Sequence, residues 1–136
     1  MKIELKNKEL APAINFLQSL NLKAKDSRCR SKLVKIINEA YEDLGKEELN
    51  LMQESGVADE SGVLIKESDR DPKKVTEFKK DQTALMDELV VIEGGLYAKN
   101  IDEIPRILAE YDGEMSGVDA EIYDRLLDEF EKGDAE

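Results

Sequence analysis

Residues 26–54 read DSRCRSKLVKIINEAYEDLGKEELNLMQE, and this stretch decides the fold. Its apolar residues fall at Cys29, Leu33, Ile36, Ile37, Ala40, Leu44 and Leu51. That is the i, i+3, i+4 spacing of one buried face on a helix. Asp26 or Ser27 can cap the start, because a short side-chain oxygen accepts a bond from an orphan amide of the first turn. A helix of this length spans roughly 43 Å at about 1.5 Å per residue. It cannot hide its stripe alone. Residues 73–89 supply a partner, with Val75, Phe78, Leu85 and Leu89 in a heptad-like row whose gap Gln82 fills. The expectation is a long antiparallel helical hairpin, residues 27–54 against 73–88, in a mainly α fold with shorter helices and a small two-stranded β element. At 136 residues it should form a single domain, 1–136.

Outward from the hairpin, residues 2–5, KIEL, alternate polar and apolar, a short strand signal. Asn7 is a candidate cap for a first helix with the stripe Leu10, Ala13, Ile14, Leu17 and Leu20. Pro12 either kinks that helix or marks its effective start. The long helix should end near Gly56, and the hairpin tip, about 56–71, is expected to be exposed and mobile, with a brief strand at Val63–Ile65. Asp71–Pro72 opens the third helix. Val90, Val91 and Ile92, stopped by Gly94–Gly95, read better as strand than helix and pair with Ile3–Leu5. A fourth helix is predicted over 102–111, capped by Asp102 and ended by Gly113. A fifth follows Ser116, with Ile122, Tyr123, Leu126, Leu127 and Phe130 facing inward. The tail at 133–136 should fray.

Composition limits the chemistry. There is no histidine, which removes His-dependent triads, His bases and His metal ligands. The lone Cys29 lies between Arg28 and Arg30, a setting that lowers a thiol pKa, but it falls on the apolar stripe and reads as a core cysteine. The acidic group Glu67, Asp69 and Asp71 breaks the pattern of an EF-hand loop at once. Gly94–Gly95 belongs to no phosphate-binding motif. No cofactor, no metal and no catalytic residue is expected, and the chain reads as a non-enzyme. No run of about 18 apolar residues suggests a membrane span. The opening MKIELKNKEL is too polar for a signal peptide, and with one cysteine the expected compartment is the cytoplasm.

Charge is the least ordinary feature. The net charge is −12. Residues 1–36 carry nine Lys/Arg against three Asp/Glu, and residues 37–136 carry eleven against twenty-nine, so the two parts hold +6 and −18. Direct nucleic-acid binding is disfavoured by the total. Lys25, Arg28, Arg30, Lys32 and Lys35 crowd a helix start, the end where positive charge is unfavourable. They form the candidate partner-binding face. The competing account is an internal clasp onto Asp124, Asp128 and Glu131.

The stretches KNKELAPAINFLQSLNLKAKDSRCRSKLVKIINE and SGVDAEIYDRLLDEFE, joined by a helix–loop–helix with ESG at its tip, resemble a family of uncharacterised proteins of phages and prophages of Gram-positive bacteria. The resemblance implies a protein acting inside the cytoplasm of an infected or lysogenic bacterium. It implies no catalytic residues. On these grounds the expected role is a non-enzymatic phage accessory protein that contacts another protein, phage or host, in virion or tail assembly. The alternative is an acidic inhibitor of a host defence or DNA-handling protein. A second copy of the chain is an admissible partner too.

Overall fold

The computed structural model describes residues 2–135, with side chains as far as Gly133. Strand β1 spans Lys2–Lys6, and helix α1 spans Leu10–Ser19. The long helix α2 runs Ala24–Glu54, about 46 Å at about 1.5 Å per residue. Helix α3 is Pro72–Asp87 and strand β2 is Leu89–Glu93. Short helices α4, Ala98–Ile101, and α5, Ile104–Glu110, precede α6, Gly117–Ala135.

The two strands pair antiparallel, with Ile3 opposite Ile92 and Leu5 opposite Val90. Period-two alternation puts Ile3, Leu5 and Ile92 into the core and leaves Lys2, Glu4, Lys6, Leu89, Val91 and Glu93 on the outer face. A two-stranded ribbon needs a covered face to persist. The cover is a cluster of buried side chains that includes Phe16 and Leu17 of α1, Leu33 and Ile37 of α2, Ile104 and Leu108 of α5, and Leu126 and Phe130 of α6. Phe16 meets Tyr123 edge to face at 6.0 Å between ring centroids.

The long helix ends as glycine chemistry dictates. Gly56 adopts φ +72°, a conformation that costs other residues energy. Val57 N donates to Met52 O at 2.8 Å and Gly56 N to Gln53 O at 3.3 Å, the paired bonds of a Schellman stop. Asp71 caps α3 by accepting from Lys73 N at 3.0 Å, with Pro72 in the first turn.

Several expectations are corrected. Asn7 caps nothing: it is buried, its Nδ2 donates to Leu85 O at 2.8 Å and its N to Glu88 O at 2.9 Å. It latches the start of α1 to the end of α3. A 3-10 turn at Asn7–Glu9 leads into α1, so Pro12 falls in the first turn, where no amide is needed. The helix predicted over 102–111 is α5, Ile104–Glu110, and a separate short helix, α4, precedes it. Asp102 closes α4 rather than capping α5, and α5 ends at Glu110 with Tyr111 extended, before Gly113.

The α3 row is the larger surprise. Val75, Phe78, Gln82 and Leu85 are only half-buried, and α3 contributes no fully buried residue. Leu89 stands in β2, exposed. The buried stripe of α2 stops at Leu44, so α3 lies along the part of α2 that has least to bury, with Asp81 and Leu85 beside Glu47, Leu51 and Glu54.

The tip is tightly bonded. Asp59 Oδ1 accepts from Ser61 N and Val63 N at 2.9 Å each, and Arg70 Nε donates to Ile65 O at 2.8 Å. Val57 and Ala58 are buried, and the strand expected at Val63–Ile65 reduces to one bridge, Ala58 with Leu64. The fraying expected at 133–136 falls on the end of α6, which runs to Ala135, while Glu136 lies outside the described residues.

Candidate functional site

The basic residues do not act as one group. Arg30 is half-buried and points at the end of α1. Its Nη1 donates to Leu17 O at 2.6 Å and Leu20 O at 3.1 Å, and its Nη2 to Ser27 Oγ at 3.2 Å. Both carbonyls lie at the C-terminal end of α1, where acceptors outnumber helical amides, and one guanidinium nitrogen reaches the two together while the other holds Ser27. Arg30 is therefore a structural clamp between α1 and α2. Replacing it with Ala should lower stability by about 1.5–3 kcal/mol, the range for hydrogen bonds from a charged group, measured by denaturant unfolding.

Lys32 and Lys35 turn the other way, towards Tyr97. The turn that carries Tyr97 is built by Gly94 and Gly95. A Cβ at Gly94 would stand 2.6 Å from the Cα of Ala98, so only glycine lets the chain fold onto α4 there. Gly95 takes φ +52°. Lys32 Nζ lies 4.7 Å and Lys35 Nζ 5.2 Å from the centroid of the Tyr97 ring. Both are within cation–π range. Lys35 Nζ also donates to Tyr97 Oη at 3.0 Å. That bond and the lysine charges hold the phenol below its ordinary pKa, and the same bond and the phenolate charge raise that of Lys35. Beside Tyr97, Leu96 is 98% exposed.

Lys25 and Arg28 are exposed near the start of α2. Between α1 and α2 lies an open groove of about 530 Å³ lined by Ile14, Gln18, Arg30, Ser31, Val34, Lys35 and Asn38. Lys35 thus stands on the ridge between this groove and Tyr97. The outer face of α2 offers ammonium groups, a polarised phenol and apolar walls. Such a surface can grip a carboxylate and pack a neighbouring apolar side chain. Among the described residues it holds no group of three or more acidic or thiol ligands suited to a metal.

The internal clasp takes a different form from the one expected. Among the described residues no ion pair joins the basic face to Asp124, Asp128 or Glu131. Instead Asp26, the acid of the α2 start, meets Arg106 of α5 at 2.9 Å. Arg106 also holds Glu103 and Glu110, and the three carboxylates push its pKa higher still. Cys29 is buried, with Asn100 Nδ2 at 3.7 Å from Sγ, in keeping with its place on the apolar stripe.

Sequence reading missed Tyr97 and Leu96. The signal was there in GGLY, since a glycine pair followed by two large apolar residues projects them from a turn, but only the fold brings that turn to Lys32 and Lys35. Sequence reading puts Glu129, with Asp128 and Glu131, on a solvated outward helix face, and the structure corrects this for Glu129. It is buried on α6, and its Oε1 accepts from Glu4 N of β1 at 3.0 Å. Its Oε2 meets Arg125 at 2.8 Å and Lys132 at 3.1 Å. Arg125 in turn reaches Glu9 at 3.0 Å and Glu4 O at 3.0 Å. This network stitches α6 along the outer edge of β1.

No helix of the described residues is long and apolar enough to cross a membrane. Neither the curated proteins nor the solved structures contain a match to the chain. The family described as "Protein of unknown function (DUF1617)" matches residues 1–135, and the chain belongs to that family.

Proposed function

We propose that this protein is a non-enzymatic phage accessory protein, working through protein–protein contacts in virion or tail assembly, and that it grips an acidic segment of its partner with the outer face of α2. The observation that carries the reading is the bracketing of Tyr97 by Lys32 and Lys35 next to a fully exposed Leu96. Aromatic anchors beside cations are the residues that dominate interface energies. Among the described residues no ion pair joins a carboxylate to Lys32 or Lys35, although the charge of Glu39 acts on Lys35. The sequence resemblance to phage proteins supplies the context, and Lys25 and Arg28 extend the same charged surface.

The test is capture from infected bacteria with the tagged wild-type chain and with the double variant Lys32→Glu, Lys35→Glu. Both positions lie on the helix surface, so the variant should melt within a few degrees of wild type. The expected result is capture of a phage structural or assembly protein by wild type only. Binding of the purified pair should weaken at least tenfold in the variant and weaken with added salt. Equal capture by the variant removes the face from consideration. Capture of a host nuclease or defence protein instead favours the inhibitor reading, in which the −18 region imitates nucleic-acid charge.

A further inference from the structure

The two edges of the ribbon are treated differently. On β1, Glu4 points its N and O away from β2, and α6 meets both: the N–H with Glu129 and the carbonyl with Arg125. In an antiparallel pair the residue opposite then also points its backbone away from its partner. That residue is Val91. Its N–H and C=O face away from β1, and no hydrogen bond to them occurs among the described residues. The usual guards of an open edge are a lysine, a proline, a bulge or a covering element. LVVIE carries no lysine or proline, and its register with β1 is unbroken. On the outer face beside that edge, Leu89 is 57% and Val91 49% exposed.

We propose that the edge of β2 pairs with β2 of a second copy of the chain, antiparallel and two-fold about Val91, to make a four-stranded sheet. Charge selects this occupant. The outer face of the ribbon carries Lys2, Lys6, Glu4 and Glu93, a locally neutral patch on a chain of net −12. Two-fold pairing sets Val91 against Val91 and Glu93 against Leu89 of the second copy. The next strand beyond that Leu89 brings Lys6 of the second copy, since Lys6 pairs with Leu89 in each chain. No like charges face each other across the new seam. Val91 to Val91 becomes a hydrogen-bonded pair with Cα atoms about 5.5 Å apart. The seam is short, so the dimer is weak and concentration-dependent. This inference stands apart from the basic face of α2.

Sedimentation of the full chain between about 10 μM and about 1 mM should show a reversible monomer–dimer equilibrium. Added salt should leave it unchanged or strengthen it, because salt screens the repulsion of two acidic bodies. Val91→Lys places a charge at the seam on an already exposed position, and it should raise the dimer Kd at least tenfold with an unchanged melting temperature. Because any one variant can misfold, Val91→Cys provides a second reading. Mild oxidation should join two copies through that residue, while Val118→Cys, more exposed still at the start of α6, stays monomeric. A strict monomer up to the highest concentration overturns the proposal. So do a dimer that Val91→Lys leaves intact, a dimer that salt weakens, cross-linking of Val91→Cys no better than the control, and capture of a different protein's strand on a chain that stays monomeric.

Discussion

Leu33→Ala and Ile37→Ala should each lower the unfolding free energy by about 2–5 kcal/mol. Both side chains are fully buried on the α2 stripe, where they meet the core shared with α1, β2 and α5. Truncation removes transfer free energy and leaves a cavity that a close-packed interior fills only in part. Val75→Ala on α3 makes the informative contrast. Its side chain is half-buried, so its cost should stay below about 1 kcal/mol. Denaturant unfolding of the three variants decides the matter. Equal costs would mean that the hairpin partner α3 bears as much of the core as α2, against the burial pattern. If neither α2 variant costs more than about 0.5 kcal/mol, the stripe is not the centre of the fold.

Glu129→Ala should cost about 2–4 kcal/mol, a large effect for a charged residue. The side chain is only 9% exposed. Its removal leaves the Glu4 amide unbonded and takes one carboxylate from Arg125 and Lys132. Glu129→Gln should recover part of the loss by still accepting from the amide. The same site links stability to pH. Burial alone would raise the Glu129 pKa, but the bonds from Arg125, Glu4 N and Lys132 outweigh it and hold the carboxyl below its ordinary value. A carboxylate whose folded pKa is depressed stabilises the fold above its unfolded pKa, and that contribution fades as pH falls through the folded value. Acid unfolding of wild type should therefore include a loss of stability in the range below about pH 4.5 that Glu129→Gln lacks. Parallel acid titrations of the two proteins, followed by circular dichroism, test this. Identical profiles would place the acid sensitivity elsewhere.

The sequence by itself determined the elements whose signals are local. The α2 stripe, the Gly56 stop, the Asp71–Pro72 start and the alternation of KIEL against the β-branched trio at 90–92 each follow from short-range sterics and hydrogen bonding, and each stands in the structure. Cys29 was placed correctly because a helical stripe names its own members. Local rules erred where a distant element supplied the partner. Asn7 has the chemistry of a cap, yet the carbonyl of Leu85, seventy-eight positions away, takes its side chain. The heptad-like row of α3 promised a core face, but spacing cannot say how much apolar surface waits on the other side, and α2 has little to offer beyond Leu44.

The charged residues show the same division. Composition revealed a basic start to α2, and only the tertiary structure sorted it. Arg30 went to the carbonyls of Leu17 and Leu20 at the end of α1, because they lie within reach of its guanidinium. Lys32 and Lys35 went to Tyr97, sixty-two positions beyond Lys35, because a glycine turn brings that ring across α2. Asp26 was a candidate cap from sequence and is an ion-pair partner of Arg106 in the fold. Periodicity reports which residues one helix can bury. Which charges meet, and which face remains open for a partner, depends on contacts between elements far apart in the chain, and no local pattern encodes those distances.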